Sequence, residues 1–185
     1  FAPSYANLHM GWWEEQVLHQ DFKWECENKI LMWVRFIDDV FAIWKGTKQE
    51  VSNFIRAINN NSLKLKFTGT SSTKEIIFLD LKIYVRHGKL ESKIYRKETA
   101  GNMILHATSF HPPHLKRSIP YGECLRSKRN CSEKQTMEIA SKELEIRFKK
   151  RGYSATIIES AIKKCENKSR EDILYQRNKK SRDKM

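Results

Sequence analysis

Two adjacent carboxylates, Asp38 and Asp39, stand in the middle of "ILMWVRFIDDVFAIW", residues 30 to 44, an otherwise almost wholly apolar run. Like charges a few ångströms apart repel, and more strongly near a low-dielectric core. The pair becomes favourable where a divalent cation neutralises it, and Mg²⁺ suits two carboxylates because it fills its other positions with water and substrate phosphates. The competing reading is local, since Asp is a good former of tight turns. A second group of residues carries a different chemistry. Lys116, Arg117, Arg126, Lys128, Arg129 and Asn130 lie within fifteen positions of one another. Arg126, Arg129 and Asn130 fall at i, i+3 and i+4, so on a helix they share a face that could grip phosphates. Against that, Glu123 or Glu133 could pair the arginines on a solvated surface.

Base-edge reading needs several side chains in one groove, and nothing in the spacing singles them out. Salt-sensitive backbone contact is therefore the expectation. Other candidates are weaker. Ser109 lies between His106 and His111, but no orienting carboxylate accompanies them, so the histidines read as structural or hydrogen-bonding residues. His106, His111, His114, Cys124 and Cys131 match no standard zinc-finger spacing. Cys26, Cys124, Cys131 and Cys165 are scattered, without CxxC spacing, and read as free thiols.

The elements that must position these residues change character along the chain. Pro3–His19 reads as a helix, and "QDFKWECENK" as polar and irregular. Residues 29–36 and 40–45 are strand-length apolar runs on either side of the aspartates. Both are apolar on both faces, which predicts a hairpin inside the domain, covered by helices. Thr47 and Glu50 form a capping box ahead of Val51, Phe54, Ile55 and Ile58, and "NNN" ends that helix. Strands are expected at 63–69, 76–86 and 90–96, the last two joined by His87-Gly88. From Pro112 the pattern is helical: Pro113–Ser118, a turn at "IPYG", then Glu123–Asn130. A longer helix starts at Ser132 and is stopped by Gly152, and another is capped by Ser154. The tail "RNKKSRDKM" reads as frayed. Trp12, Trp13, Trp33 and Trp44 read as core residues.

Composition sets the outer bounds. An apolar fraction of 39% with 20 aromatic residues supports a real core and excludes a disordered chain. No apolar run approaches the length of a membrane span, and the start does not look like a signal peptide. The net charge of +13 is uneven. Residues 1–110 carry 15 Lys and Arg against 12 Asp and Glu, while residues 111–185 carry 20 against 10. That bias suggests a polyanionic partner.

The order of these segments carries a resemblance. "RFIDDVFAIW" resembles the aromatic-x-Asp-Asp hairpin of reverse transcriptases, and "FAPSYANLHMGWWE" the end of the motif before it. "KFT", "IIFLDLKIYVRHGKLESKIYRKET", "LHATSFHP", "IPYGECLRSKRNCS" and "RFKKRGYS" follow in matching order. Together they are similar to the Penelope-like retroelement reverse transcriptases. The resemblance implies an α+β fold: a partial palm over 1–104, a helical thumb-like or helix-turn-helix region over 105–165, and a basic tail over 166–185. It implies two-metal nucleotidyl transfer in the complete enzyme, with Asp38 a direct ligand of Mg²⁺ and Asp39 its weaker partner. The partners implied are an RNA template, a DNA primer and dNTP, in an intracellular and nuclear setting. A third palm aspartate and the fingers would lie upstream of Phe1, so the chain reads as a fragment that is inactive alone. Glu98, where the family often has Pro, departs from the pattern. The alternative is a non-catalytic helix-turn-helix protein derived from such an element.

Overall fold

The computed structural model describes residues 1–61, 63–97 and 99–174. The mixture of helices and antiparallel strands is α+β, as expected. The chain divides into two compact units, Phe1–Phe78 and a second from Leu79 onward. Glu98 and residues 177–185, the frayed tail of the sequence reading, lie outside the described residues. Among the described residues no helix is long and apolar enough to cross a membrane.

The first unit opens with α1 (Ala2–Trp13), which runs into a π-helical segment, Glu14–Asp21. An α-helix would leave Trp13 and Leu18 about 140° apart around its axis. The wider i→i+5 pitch brings both inward, and both are fully buried. Phe54, Ile58, Val17, Phe22, Trp33, Trp44 and Phe67 complete this core. Burying Trp13 alone contributes on the order of 5 kcal/mol before chain entropy is counted. Trp12, in contrast to the core expectation, is about half exposed, because it lies on the other side of α1.

The "QDFKWECENK" stretch is not irregular. It closes the π-helical segment and forms α2 (Lys23–Asn28). Phe22 and Cys26, one helical turn apart, both pack on the core, with Phe22 edge-on to Phe54 at 5.5 Å. Then β1 (Ile30–Phe36) and β2 (Asp39–Trp44) form an antiparallel hairpin. Helix α3 (Lys48–Ile58) follows with the expected capping box: the Thr47 hydroxyl accepts the Glu50 N–H at 3.2 Å, and Glu50 accepts the Thr47 N–H at 2.6 Å.

The strand expected at 63–69 does not form. The Asn59 side chain pairs with the N–H and C=O of Phe67, at 2.6 and 2.8 Å, and Asn61 does the same for Leu65. Two amide side chains thus satisfy the backbone groups that a neighbouring strand would otherwise have to meet. The run expected at 76–86 is interrupted, leaving β3 (Glu75–Phe78) in the first unit.

The second unit begins with a hairpin of β4 (Leu81–Arg86) and β5 (Lys89–Ile94). His87 and Gly88 both have positive φ, +48° and +73°, as a type I′ turn requires. The helical part is α4 (Pro113–Asn130), α5 (Lys134–Lys149) and α6 (Ala155–Glu166). Ile104, Leu144, Phe148, Tyr153 and Ile158 form its core.

"IPYG" is not a turn: α4 is continuous through Pro120. The proline lacks a donor for the helical ladder, yet it is buried, and with Cys124 it lines a small cavity alongside Leu144, Phe148, Ile158 and Ala161. Tertiary packing outweighs the local preference. Gly152 ends α5 as expected, at φ +76°. The Tyr153 N–H bonds to the Phe148 carbonyl and the Gly152 N–H to that of Lys149, with the two aromatic rings 5.1 Å apart. That is a Schellman motif with its apolar contact.

Candidate nucleic-acid interface

The aspartate hairpin is built one residue out of the expected register. Phe36 pairs with Asp39, so the two-residue turn is Ile37-Asp38 rather than Asp38-Asp39. Phe36 and Asp39 share a face, as do Arg35 and Val40. This register leaves the Asp39 carboxylate on the solvent side. Both aspartates are exposed. The hairpin is not covered on both faces either: Leu31 is 65% and Phe36 57% exposed. The repulsion expected between two carboxylates in an apolar interior is accordingly relieved by water.

Ile37 sits at φ +57°, a position that costs a β-branched residue on the order of 1–2 kcal/mol. Arg35 holds it there. One guanidinium nitrogen donates to the Ile37 carbonyl and to Asn7 Oδ1, both at 2.8 Å. The Nε and the other terminal nitrogen clasp Glu14 at 2.9 and 3.0 Å, and Trp33 Nε1 donates to the same carboxylate at 2.8 Å. Arg35, Glu14 and Asn7 therefore fix the hairpin tip, and sequence reasoning missed all three. The signal was faint: an arginine in an apolar strand and a glutamate just past a helix, two residue types that are seldom buried unless paired.

In the second unit, helix α4 carries all six of the basic-segment residues, but they divide by role. Lys116 Nζ donates to the carbonyls of Ala107 and Ser109, each at 2.8 Å. Lys128 Nζ donates to those of Cys165 and Glu166 at 3.1 and 3.2 Å, capping the end of α6. Arg126 pairs with Asp80 and, at 3.7 Å, with Glu123. Asn130 offers its carbonyl to the Ser92 hydroxyl at 2.8 Å. Arg117 and Arg129 are exposed, and their side chains have no partner among the described residues. Glu133 is engaged by Tyr84 at 3.0 Å and by Arg86. Burial first, and then that carboxylate, push the Tyr84 hydroxyl up to about 12.

The turn between α4 and α5 also closes the edge of the β4–β5 hairpin. Ser132 N–H donates to the Ser92 carbonyl at 2.9 Å, and Ser92 N–H to the Ser132 hydroxyl at 2.8 Å. The basic hairpin tip, Arg86 to Lys89, is thereby anchored to the helices of the same unit.

The remaining candidates resolve simply. His106 Nδ1 bonds Thr108 Oγ1 at 2.8 Å, a hydrogen-bonding role as expected. The four cysteines are free thiols. Burial, and then a hydrogen bond with Cys165, push Cys124 up to about 12, which makes it a poor nucleophile and metal ligand. Among the described residues no three His, Cys, Asp or Glu side chains gather where a metal could sit.

Comparison with known proteins adds one match. The animal helix-turn-helix domain matches residues 103–163, which takes in α4, α5 and most of α6. No curated protein matches the chain, and no solved structure does. A helix-turn-helix domain is thus present in the second unit.

Proposed function

We propose that the chain binds nucleic acid through the helices of its second unit, by salt-sensitive contacts to the phosphate backbone. The helix-turn-helix match supports this, over a segment holding 12 Lys and Arg against 6 Asp and Glu. Arg117 and Arg129 make the first phosphate contacts, being exposed and unpaired among the described residues. Lys116, Arg126, Lys128 and Asn130 add field and hold α4 in place. A nuclear location accords with such a partner. The test is fluorescence anisotropy of a labelled duplex across a salt series. Each phosphate contact adds about 0.9 to the slope of log affinity against log salt. Arg117→Ala with Arg129→Ala should lower it by about 1.8. No binding by the full chain, or an unchanged slope in the double variant, counts against the proposal.

A second reading is favoured by the exposed carboxylates at a braced hairpin tip. In this reading residues 1–104 are part of a Penelope-like reverse-transcriptase palm, with Asp38 and Asp39 toward Mg²⁺. Two carboxylates fit the number Mg²⁺ takes from protein beside water and dNTP phosphates. Among the described residues no third carboxylate joins them, so the full two-metal centre does not fit what is here. Primer extension on an RNA template with a DNA primer tests it, comparing this chain with a form carrying the palm aspartate that the resemblance places upstream. Synthesis by the longer form, abolished by Asp38→Ala, supports the reading. Synthesis by neither, together with no Mn²⁺-induced broadening at the Asp38 amide, rejects it.

A further inference from the structure

Arg147, on α5, is a half-buried cation without a counterion. Its Nη1 is enclosed and meets no acceptor. Nε and Nη2 make no hydrogen bond or ion pair with the described residues either, and they are not enclosed, so that edge of the fork faces solvent. Arginine is seldom buried unless paired, because the charge loses water and gains nothing in return.

Two more guanidinium groups stand close by. Arg126, on α4, pairs with Asp80 and, at 3.7 Å, with Glu123. The Asp80 carbonyl accepts the Tyr95 N–H at 2.7 Å, which sets the next residue, Arg96, beside the same pair. Arg96 is exposed, and its side chain has no partner among the described residues. Asn102 Nδ2 donates to the Arg147 carbonyl at 2.8 Å and fixes that turn of α5. Burial first, and then the charge of Arg96, hold the Arg147 guanidinium below its ordinary range. Arg126 acts the same way, and the carboxylates of Glu123 and Glu143 offset only part of it. A guanidinium does not give up its proton in a protein, so the fold carries the cost.

An anion on the open edge of Arg147 would relieve that cost. Phosphate suits the cluster better than a carboxylate does. A carboxylate has two oxygens and fills one arginine fork, whereas a phosphate has oxygens for groups arriving from several directions. We propose that Arg96, Arg126 and Arg147 form a binding site for a phosphate group, held on the Nε–Nη2 edge of Arg147. The site uses neither Arg117 nor Arg129, and it stands whether or not those two bind nucleic acid. Its phosphate is either free or part of a nucleic-acid backbone, and the two sources give different results.

The experiment uses the full chain with two variants, Arg96→Ala and Arg147→Met. Urea midpoints are measured across a series of inorganic phosphate, with sodium chloride holding the ionic strength constant. The wild-type midpoint should rise with phosphate. Arg96→Ala, at an exposed position where folding is not at stake, should weaken phosphate binding roughly 10- to 150-fold, the loss of one charge-assisted hydrogen bond. Arg147→Met should abolish the rise. Without phosphate it should unfold at a higher midpoint than the wild type, because an unpaired, half-buried charge has gone. A lower midpoint would mean that Arg147 supports the fold, and would overturn its place at the centre of the site. Anisotropy with a labelled duplex separates the sources. If a backbone phosphate occupies the site, Arg96→Ala lowers the slope of log affinity against log salt by about 0.9. If free phosphate is the ligand, the midpoint responds and that slope is unchanged. Neither response, or an equal rise of the midpoint in Arg147→Met, overturns the site. Absence of all duplex binding by the wild type would remove the function proposed above and leave the phosphate series to decide this one.

Discussion

Replacing Pro120 by Ala should stabilise the helical unit, or at worst leave it unchanged. In a helix interior Pro is about 3 kcal/mol less favourable than Ala. Pro120 is also buried, and Ala removes two ring carbons from beside the small cavity it lines with Leu144, Phe148, Ile158 and Ala161. At about 0.8 kcal/mol each, that loses about 1.6 kcal/mol. Incomplete closure of the space adds a cost of up to about 1 kcal/mol. The net expectation is a gain of between about 0 and 1.5 kcal/mol. Were "IPYG" a turn, the sign would reverse. Ala would forfeit the preset φ of proline as well as the burial, a loss of about 2–3 kcal/mol. The assay is urea unfolding followed by far-UV circular dichroism, with amide exchange at Cys124 to Asn130 reporting α4 itself. A drop of 2 kcal/mol or more, with faster exchange across that span, would refute the continuous helix.

Two pH predictions follow from the hydrogen bonds. Glu50 is held down at about 2, first by its hydrogen bond with Lys29 and then by those with Thr47. Its folded value lies below the unfolded one, so its contribution is present above about pH 4.5 and lost as pH falls toward 2. Glu50→Gln should flatten the acid side of the urea-midpoint profile for the first unit, and an unaltered profile would contradict this. For Tyr84 the folded value is raised, so its contribution is complete below about pH 10 and lost as pH rises toward 12. Glu133→Gln should bring the Tyr84 titration down toward 10 while burial keeps some of the shift, as read from its ring carbon resonances. A titration still near 12 would mean that burial alone sets it.

What was legible in the sequence was local. The capping box of Thr47 and Glu50 involves residues three apart, and the Gly152 stop needs one glycine in the left-handed region, so neither depends on the rest of the chain. The His87-Gly88 turn was legible for the same reason. The aspartate hairpin shows where that stops. Apart from Arg35 and the terminal Asp39 its strands are apolar on both faces, so alternation could not choose the register, and Arg35 reaching Glu14, 21 residues back, fixes the tip. Strand 63–69 failed because Asn59 and Asn61 replace a neighbouring strand, and that pairing has no signature in propensity. Proline and glycine in "IPYG" indicated a turn, while burial of Pro120 beside residues as far along the chain as Ala161 decided for a helix. The basic segment was visible as charge, but which members are spent needed the structure: Lys116 and Lys128 on backbone carbonyls, Arg126 on Asp80, with Arg117 and Arg129 unpaired among the described residues.

The most direct test of nucleic-acid binding by the second unit is amide hydrogen exchange on the full chain, with and without a saturating DNA duplex at low salt. New protection should concentrate in α4, in the Lys150–Ser154 turn and in the first turns of α6, and the β1–β2 hairpin should exchange as before. Protection confined to Phe36 through Val40, with the three helices unchanged, would contradict the account and move the contact to the aspartate hairpin.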